Sequence, residues 1–197
     1  LIDPKFVFLA LCFNVLGSAV YLRSALQNKI RPHLVTWFLW AVAPYLAFAA
    51  QMQEGVGLVS LVTLIAGINP TIIFLATLRS RDAHWSVSAF DLTCGALSIA
   101  GLVLWITYRQ AGFAVTLAIL SDALASAPTF KKSLSDPQSE SWSVYGCLSV
   151  SSLITLATID DWKFANYGFV GYLAVLGTSL TMIVLMGSRL RRRGRET

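Results

Sequence analysis

The sequence predicts an all-α membrane protein: seven transmembrane helices arranged as two parallel three-helix repeats joined by a linker helix. Three observations carry that expectation. The 197 residues are 56% hydrophobic and 13% charged, with a mean hydropathy of +0.66, where a soluble domain carries roughly 25% charged residues. Uncharged runs recur at about 20 residues, the length an α-helix needs to cross a hydrocarbon core about 30 Å thick. And the stretch from Asp122 to Tyr145 echoes the stretch from Asn14 to Trp40. Asn14 falls on Asp122, Arg23 on Lys131 and Leu26 on Leu134; after a three-residue gap, Thr36-Trp37 falls on Ser141-Trp142.

Seven spans follow at 5–24, 33–52, 57–78, 86–108, 112–131, 142–160 and 165–188. The first run follows Lys5 and is long enough to span. With no small-residue cleavage site after it, it is expected to stay as a helix and not to leave as a signal peptide. The fourth is bounded by Arg79, Arg81 and Asp82 on one side and Arg109 on the other, and the fifth is the least apolar because Asp122 interrupts it. The echo extends through the third helix of each copy: Gly67 aligns with Gly177, Asn69 with Ser179, Thr71 with Thr181 and Arg79 with Arg189. The first repeat thus covers 1–80, the linker helix 81–110, the second repeat 111–190 and a basic tail 191–197. A single spacer helix restores direction, so the two triplets run the same way, related by an axis along the membrane normal.

Alternating spans sort the loops onto two sides. One side holds three basic residues, Lys5, Arg109 and Lys163; the other holds the remaining twelve, from Arg23 to Arg195. Basic residues accumulate in the cytoplasm, which puts the N-terminus outside and the C-terminus inside. The terminal arginine run beside a span reads as a topology anchor attractive to anionic lipid, not as a nucleic-acid site. Trp85, Trp105 and Trp162 fall at span ends, where amphipathic rings settle among headgroups. Trp37 and Trp142 occupy the same place in the two repeats and suit packing. Cys12, Cys94 and Cys147 lie inside apolar runs without metal-ligand spacing, so neither a disulfide framework nor a metal is expected.

The segment Pro128-Thr129-Phe130-Lys131-Lys132-Ser133, its polar linker and Glu140-Ser141-Trp142 resemble the PQ-loop motif. In that superfamily, which includes the SWEET sugar transporters and lysosomal amino-acid exporters, a proline near the cytoplasmic end of each triplet's first helix precedes a basic loop. The resemblance implies a 3+1+3 transporter-like fold with Pro44 and Pro128 as helix hinges. This chain departs from the pattern at Thr129, where the family has glutamine. It departs again at Val20 and Ser149, which stand where prolines would pair with Pro128 and Pro44.

Depth locates candidate chemistry. Asn14 and Asp122 lie nine residues from Arg23 and Lys131, and Asn69 and Ser179 lie ten from Arg79 and Arg189; at a 1.5 Å rise each is about 14–15 Å from the cytoplasmic edge. Four polar side chains from four helices thus share a level near the midplane, where repeat-built transporters hold substrate. The expectation is a polar pocket lined by Asn14, Asn69, Asp122 and Ser179, with Trp40, about one turn before Pro44, as an aromatic wall. The plainer alternative is that these groups only tie helix to helix. Asp122 weighs against it, because a charged carboxylate at that depth needs a cation, a proton or water. Asp91 is shallower and suits pairing with His84, Arg79 or Arg81; His33 and His84 have no second ligand nearby.

Other classes lack their required residues. A retinal protein needs a mid-depth lysine, and every lysine here is at a span end. There is no glycine-rich phosphate loop, no zincin helix and no serine with an evident histidine partner, so neither an enzyme nor a cofactor is expected. Two functions stay open. One is a carrier moving a small polar solute (sugar, amino acid or amine-like) by alternating access, either passive or proton-coupled through Asp122. The other is a non-transporting membrane subunit, either an accessory protein of a larger complex or a receptor-like PQ-loop member. Half-sized relatives of the fold dimerise; this chain contains both halves, so a monomer suffices for a pathway, with a homo-oligomer left open.

Overall fold

The computed structural model describes residues 2–30, 32, 34–78 and 111–196, together with isolated helical positions between 89 and 107. The fourth span is otherwise outside the described residues, as are Arg31, His33, Arg79, Arg81, Asp82, His84, Trp85, Asp91, Cys94, Trp105 and Arg109. Six long helices make up the described part: α1 (Phe6–Leu26), α2 (Leu34–Gln53), α3 (Ser60–Thr77), α4 (Ala111–Ser135), α5 (Trp142–Ala157) and α6 (Phe164–Glu196). Five of them are long and apolar enough to cross a membrane; α5, with 16 residues, is shorter. The protein is all-helical among the described residues and suited to a bilayer, where a helix satisfies its backbone groups internally.

Local chemistry ends the helices where the sequence changes character. α1 closes with Asn28 in the left-handed region (φ 55°). The Asn28 N–H bonds Ala25 O and the Lys29 N–H bonds Ser24 O, the paired bonds of a Schellman cap. α2 ends the same way on Gly55 (φ 69°), with Gly55 N–H to Met52 O and Val56 N–H to Gln51 O. α6 is 33 residues long, about 50 Å at 1.5 Å per residue. It therefore continues beyond its apolar part, Phe164–Leu190, through the arginine-rich tail.

The helices form a closed ring. α3 packs between α1 and α2, and α6 packs between α4 and α5; the ring closes through α2 against α4 and α1 against α5. Gly17 lets α1 approach α5: a Cβ there would lie 2.5 Å from Cys147 Cβ. Gly177 does the same for α6 on α5, where a Cβ would meet Tyr145 O at 2.8 Å and Ser149 N at 2.9 Å.

Contacts at the two ends set direction. Ile2 N–H donates to Ala157 O (3.1 Å) and Gln51 Nε2 to Ala165 O (3.1 Å), while Ala50, Ala114 and Ala165 cluster together. The starts of α1, α4 and α6 thus share one end, the N-terminal face, with the α2–α3 connection. At the opposite, C-terminal face, the end of α1 meets the start of α5, where Tyr21 bonds Glu140. α1 and α4 therefore run in the same direction. Trp37 and Trp142, equivalent in the sequence echo, are placed differently: Trp37 is 5% exposed and Trp142 52%.

Candidate functional site

Three helix-interior prolines, Pro44 in α2, Pro70 in α3 and Pro128 in α4, interrupt the backbone ladder. Proline has no N–H, so each deprives the carbonyl four residues earlier of its helical donor: Trp40, Ala66 and Leu124. Pro44 and Pro70, with Trp40 and Ala66, line a central cavity of about 60 Å³. That is room for about four water molecules at ~15 Å³ each, well below the roughly 300–1,000 Å³ of a drug-sized ligand site.

The cavity lies between the two halves of the ring, and four of the five binding residues expected from the sequence line it. Asn14 comes from α1, Trp40 from α2, Asn69 from α3 and Asp122 from α4. Ser179 does not line it; α6 presents Leu173 and Leu176 there instead. The neighbouring Thr178 is spent on a 2.6 Å hydroxyl contact with Ser149. Of the two expected hinges, Pro44 lines the cavity and Pro128 does not. Pro70, which lines it, was not singled out by the repeat because it aligns with Leu180.

Asp122 is 2% exposed. Its Oδ2 accepts a hydrogen bond from the Tyr172 hydroxyl of α6 (2.8 Å), and its backbone carbonyl accepts one from Trp40 Nε1 (3.4 Å). Among the described residues no cation pairs with it. On the opposite wall Asn69 Nδ2 donates to Asn14 Oδ1 (2.7 Å), which leaves Asn14 Nδ2 buried without a partner. Trp37 and Trp40 meet edge to face at 5.2 Å, and Trp40 and Tyr145 at 6.4 Å. All three rings line the cavity. Trp40 and Tyr145 are equivalent in the sequence echo, as are Asn14 and Asp122.

On the C-terminal side of the cavity lies a second buried carboxylate, from the polar loop before α5. Glu140, 7% exposed, accepts from Tyr145 (3.0 Å) and Tyr21 (3.3 Å) on Oε2 and pairs with Lys132 (2.8 Å) on Oε1. Trp37 Nε1 donates in turn to the Tyr21 hydroxyl (3.3 Å). One carboxylate therefore links α4 and α5 to α1 and α2. Its signal in the sequence was the Glu140-Ser141-Trp142 motif, which served to identify the loop and not a site.

On the N-terminal side lies an apolar cluster. Val7, Val62 and Val170 are fully buried with Ala10, Val59 and Ile159. Beyond lies a wider opening of about 340 Å³ whose walls include Glu54, Asp160, Asp161 and Lys163. The Lys163 ammonium is held above its usual pKa by its hydrogen bond to Asp161, 2.9 Å away. Among the described residues no group of His, Cys, Asp and Glu is arranged to hold a metal. No protein-family model, curated protein or solved structure matches this chain.

Proposed function

We propose that the protein is a membrane carrier that moves a small polar solute by alternating access, with Asp122 as its solute- or proton-binding carboxylate. The observation that carries this reading is the placement of Asp122. It is a buried carboxylate with no cationic partner among the described residues, on a cavity where helices from both halves of the ring meet. Intramembrane carboxylates are costly and mark ion and substrate paths. Its charge calls for a cation or a proton, and a carrier supplies one on each cycle.

The ring supports a PQ-loop/SWEET-like 3+1+3 arrangement. In each triplet the third helix lies between the first and second, and each first helix packs on the second helix of the other triplet. That is the pattern expected of two copies related by a two-fold axis. α3 ends at the C-terminal face and α4 begins at the N-terminal face, the orientation that a single linker helix requires of its neighbours. The basic residues Arg23, Lys29, Lys131, Lys132 and Arg189 belong to the C-terminal face; this favours a cytoplasmic C-terminus and an outward N-terminal face.

In this reading the cavity lies between two gates. The polar cluster at Glu140 forms the inner gate and the valine cluster the outer one. Breaking the inner gate hands its charges to cytoplasmic water; breaking the outer gate exposes apolar surface, which solute entry must offset. Pro44 and Pro70, flanking the cavity on adjacent helices, are the positions where bending costs least, because the backbone bonds there are already absent.

Reconstituted protein tests the proposal. Proteoliposomes should take up a small amine or other polar solute in a saturable way, faster under an inward proton gradient if Asp122 carries the proton, and Asp122→Asn should abolish uptake. Purified protein that moves no candidate solute at any pH and co-migrates with fixed partners would instead establish the non-transporting subunit.

A further inference from the structure

The hydrogen-bonding groups around the cavity are nearly all committed, and the few that are free have a particular chemistry. Trp37 Nε1 is spent on Tyr21, Trp40 Nε1 on the Asp122 carbonyl, the Tyr145 hydroxyl on Glu140, and Asn69 Nδ2 on Asn14. The second Asp122 oxygen, Oδ1, remains open, since Tyr172 takes Oδ2. Two backbone acceptors remain as well, the Trp40 and Ala66 carbonyls that Pro44 and Pro70 leave without a helical donor. Against these acceptors stand the buried amide donor Asn14 Nδ2, which has no partner, and the Ser18 hydroxyl, which also lines the cavity.

A ligand complementary to this set offers several N–H donors and a positive charge at one end and a single acceptor at the other. We propose that the cavity binds a small protonated primary amine bearing one hydrogen-bond acceptor, an amino-alcohol type of solute. Its ammonium sits on Asp122 and the freed carbonyls, and its acceptor takes Asn14 Nδ2. This names the substrate class of the carrier proposed above and rests on that reading only for the step of transport.

Three further features agree. Trp37, Trp40 and Tyr145 supply aromatic rings on the cavity wall, and a cation within about 6 Å of a ring centroid is attracted to its face. The volume of about 60 Å³ admits only a solute of few heavy atoms. Among the described residues the opening on the N-terminal face carries three carboxylates, Glu54, Asp160 and Asp161, to one ammonium, Lys163, and such a surface concentrates cations.

The same inventory rejects other classes. A hexose would lose water from several hydroxyls and find few partners, at about 1–3 kcal/mol for each group left unmet. An amino acid would place a second carboxylate beside Asp122, with no cationic side chain among the described lining residues to receive it.

Intrinsic tryptophan fluorescence of the full chain in nanodiscs, with Trp37 and Trp40 as reporters, tests this without transport. Ethanolamine should give a saturable change, whereas glycine and glycerol should give none in the same range. Asp122→Asn should weaken ethanolamine binding by at least about tenfold and Asn14→Leu by several-fold. If Asp122→Asn does not fold, Asp122→Glu, which keeps the charge but moves it, should still bind and bind more weakly. Equal responses to glycerol and ethanolamine, no saturable ethanolamine signal, or ethanolamine binding indifferent to Asp122 would overturn the inference. The two readings fail separately. Saturable amine binding without uptake removes the carrier and leaves the site, while uptake of another solute without amine binding does the reverse.

Discussion

The Glu140 cluster yields a prediction whose size follows from its geometry. Replacing Glu140 by Gln keeps the shape and one acceptor oxygen but removes the charge, and it turns an amide NH₂ toward the Lys132 ammonium or toward the tyrosines. Removing one partner of a buried ion pair costs about 3–5 kcal/mol. Here the Lys132 side chain is 24% exposed, against 2% for Glu140, so its ammonium can turn to water and the loss falls to about 2 kcal/mol. The bonds from Tyr21 and Tyr145 change from charge-assisted to neutral, at about 1 kcal/mol more. Losing about 3 kcal/mol from the closed C-terminal face raises the open population roughly hundredfold. A reporter cysteine at Ser18, which lines the cavity, reads this out in a background lacking Cys12, Cys94 and Cys147. Its rate of reaction with a membrane-impermeant thiol reagent applied from the C-terminal side should rise about hundredfold in Glu140→Gln. Lys132→Gln leaves the Glu140 carboxylate, 2% exposed, buried without its cation, and should raise the rate at least as much. An unchanged rate in Glu140→Gln would show that the cluster does not hold this face shut.

Two further predictions concern stability. Gly177→Ala drives a Cβ onto the α5 backbone, 2.8 Å from Tyr145 O, so α6 must shift; we expect a loss of about 1–3 kcal/mol, seen as a lower melting temperature in detergent, whereas Gly112→Ala, with nothing within 4 Å, should leave it unchanged. Asn69→Leu strands the Asn14 amide and should cost about 1–3 kcal/mol. Adding Asn14→Leu should recover part of that loss, and strictly additive single and double variants would show that the 2.7 Å pair carries no stability.

Much of the site was legible because depth in a membrane is a linear coordinate. Counting residues from the basic ends put Asn14, Asn69 and Asp122 on one level, and the cavity lies there. The count carries no reliable rotation, however: each residue turns the side chain by about 100° around the helix axis, and small differences in packing decide which neighbour faces inward. Ser179 shows the consequence: it aligns with Asn69 in the echo, but α6 presents Leu173 and Leu176 to the cavity. Tyr172, the partner of Asp122, lies 50 residues away along the chain, and no spacing rule points to it. Pro70 was hidden for another reason: the repeat emphasised what recurs, and Pro70 has no counterpart.

The sequence by itself determined the class of structure. Its charge deficit and span-length apolar runs require helices suited to a bilayer, and its basic residues divide unequally between the ends. Those properties are additive along the chain and need no partner to be read. Only the tertiary structure decided which polar groups meet. Glu140 looks like an ordinary loop carboxylate until Tyr21, 119 positions away, is brought against it. Trp37 and Trp142 share a sequence context, yet one is sealed inside and the other faces outward. Burial, pairing and the count of free donors and acceptors are properties of surfaces brought together, so they exist only once the ring has closed.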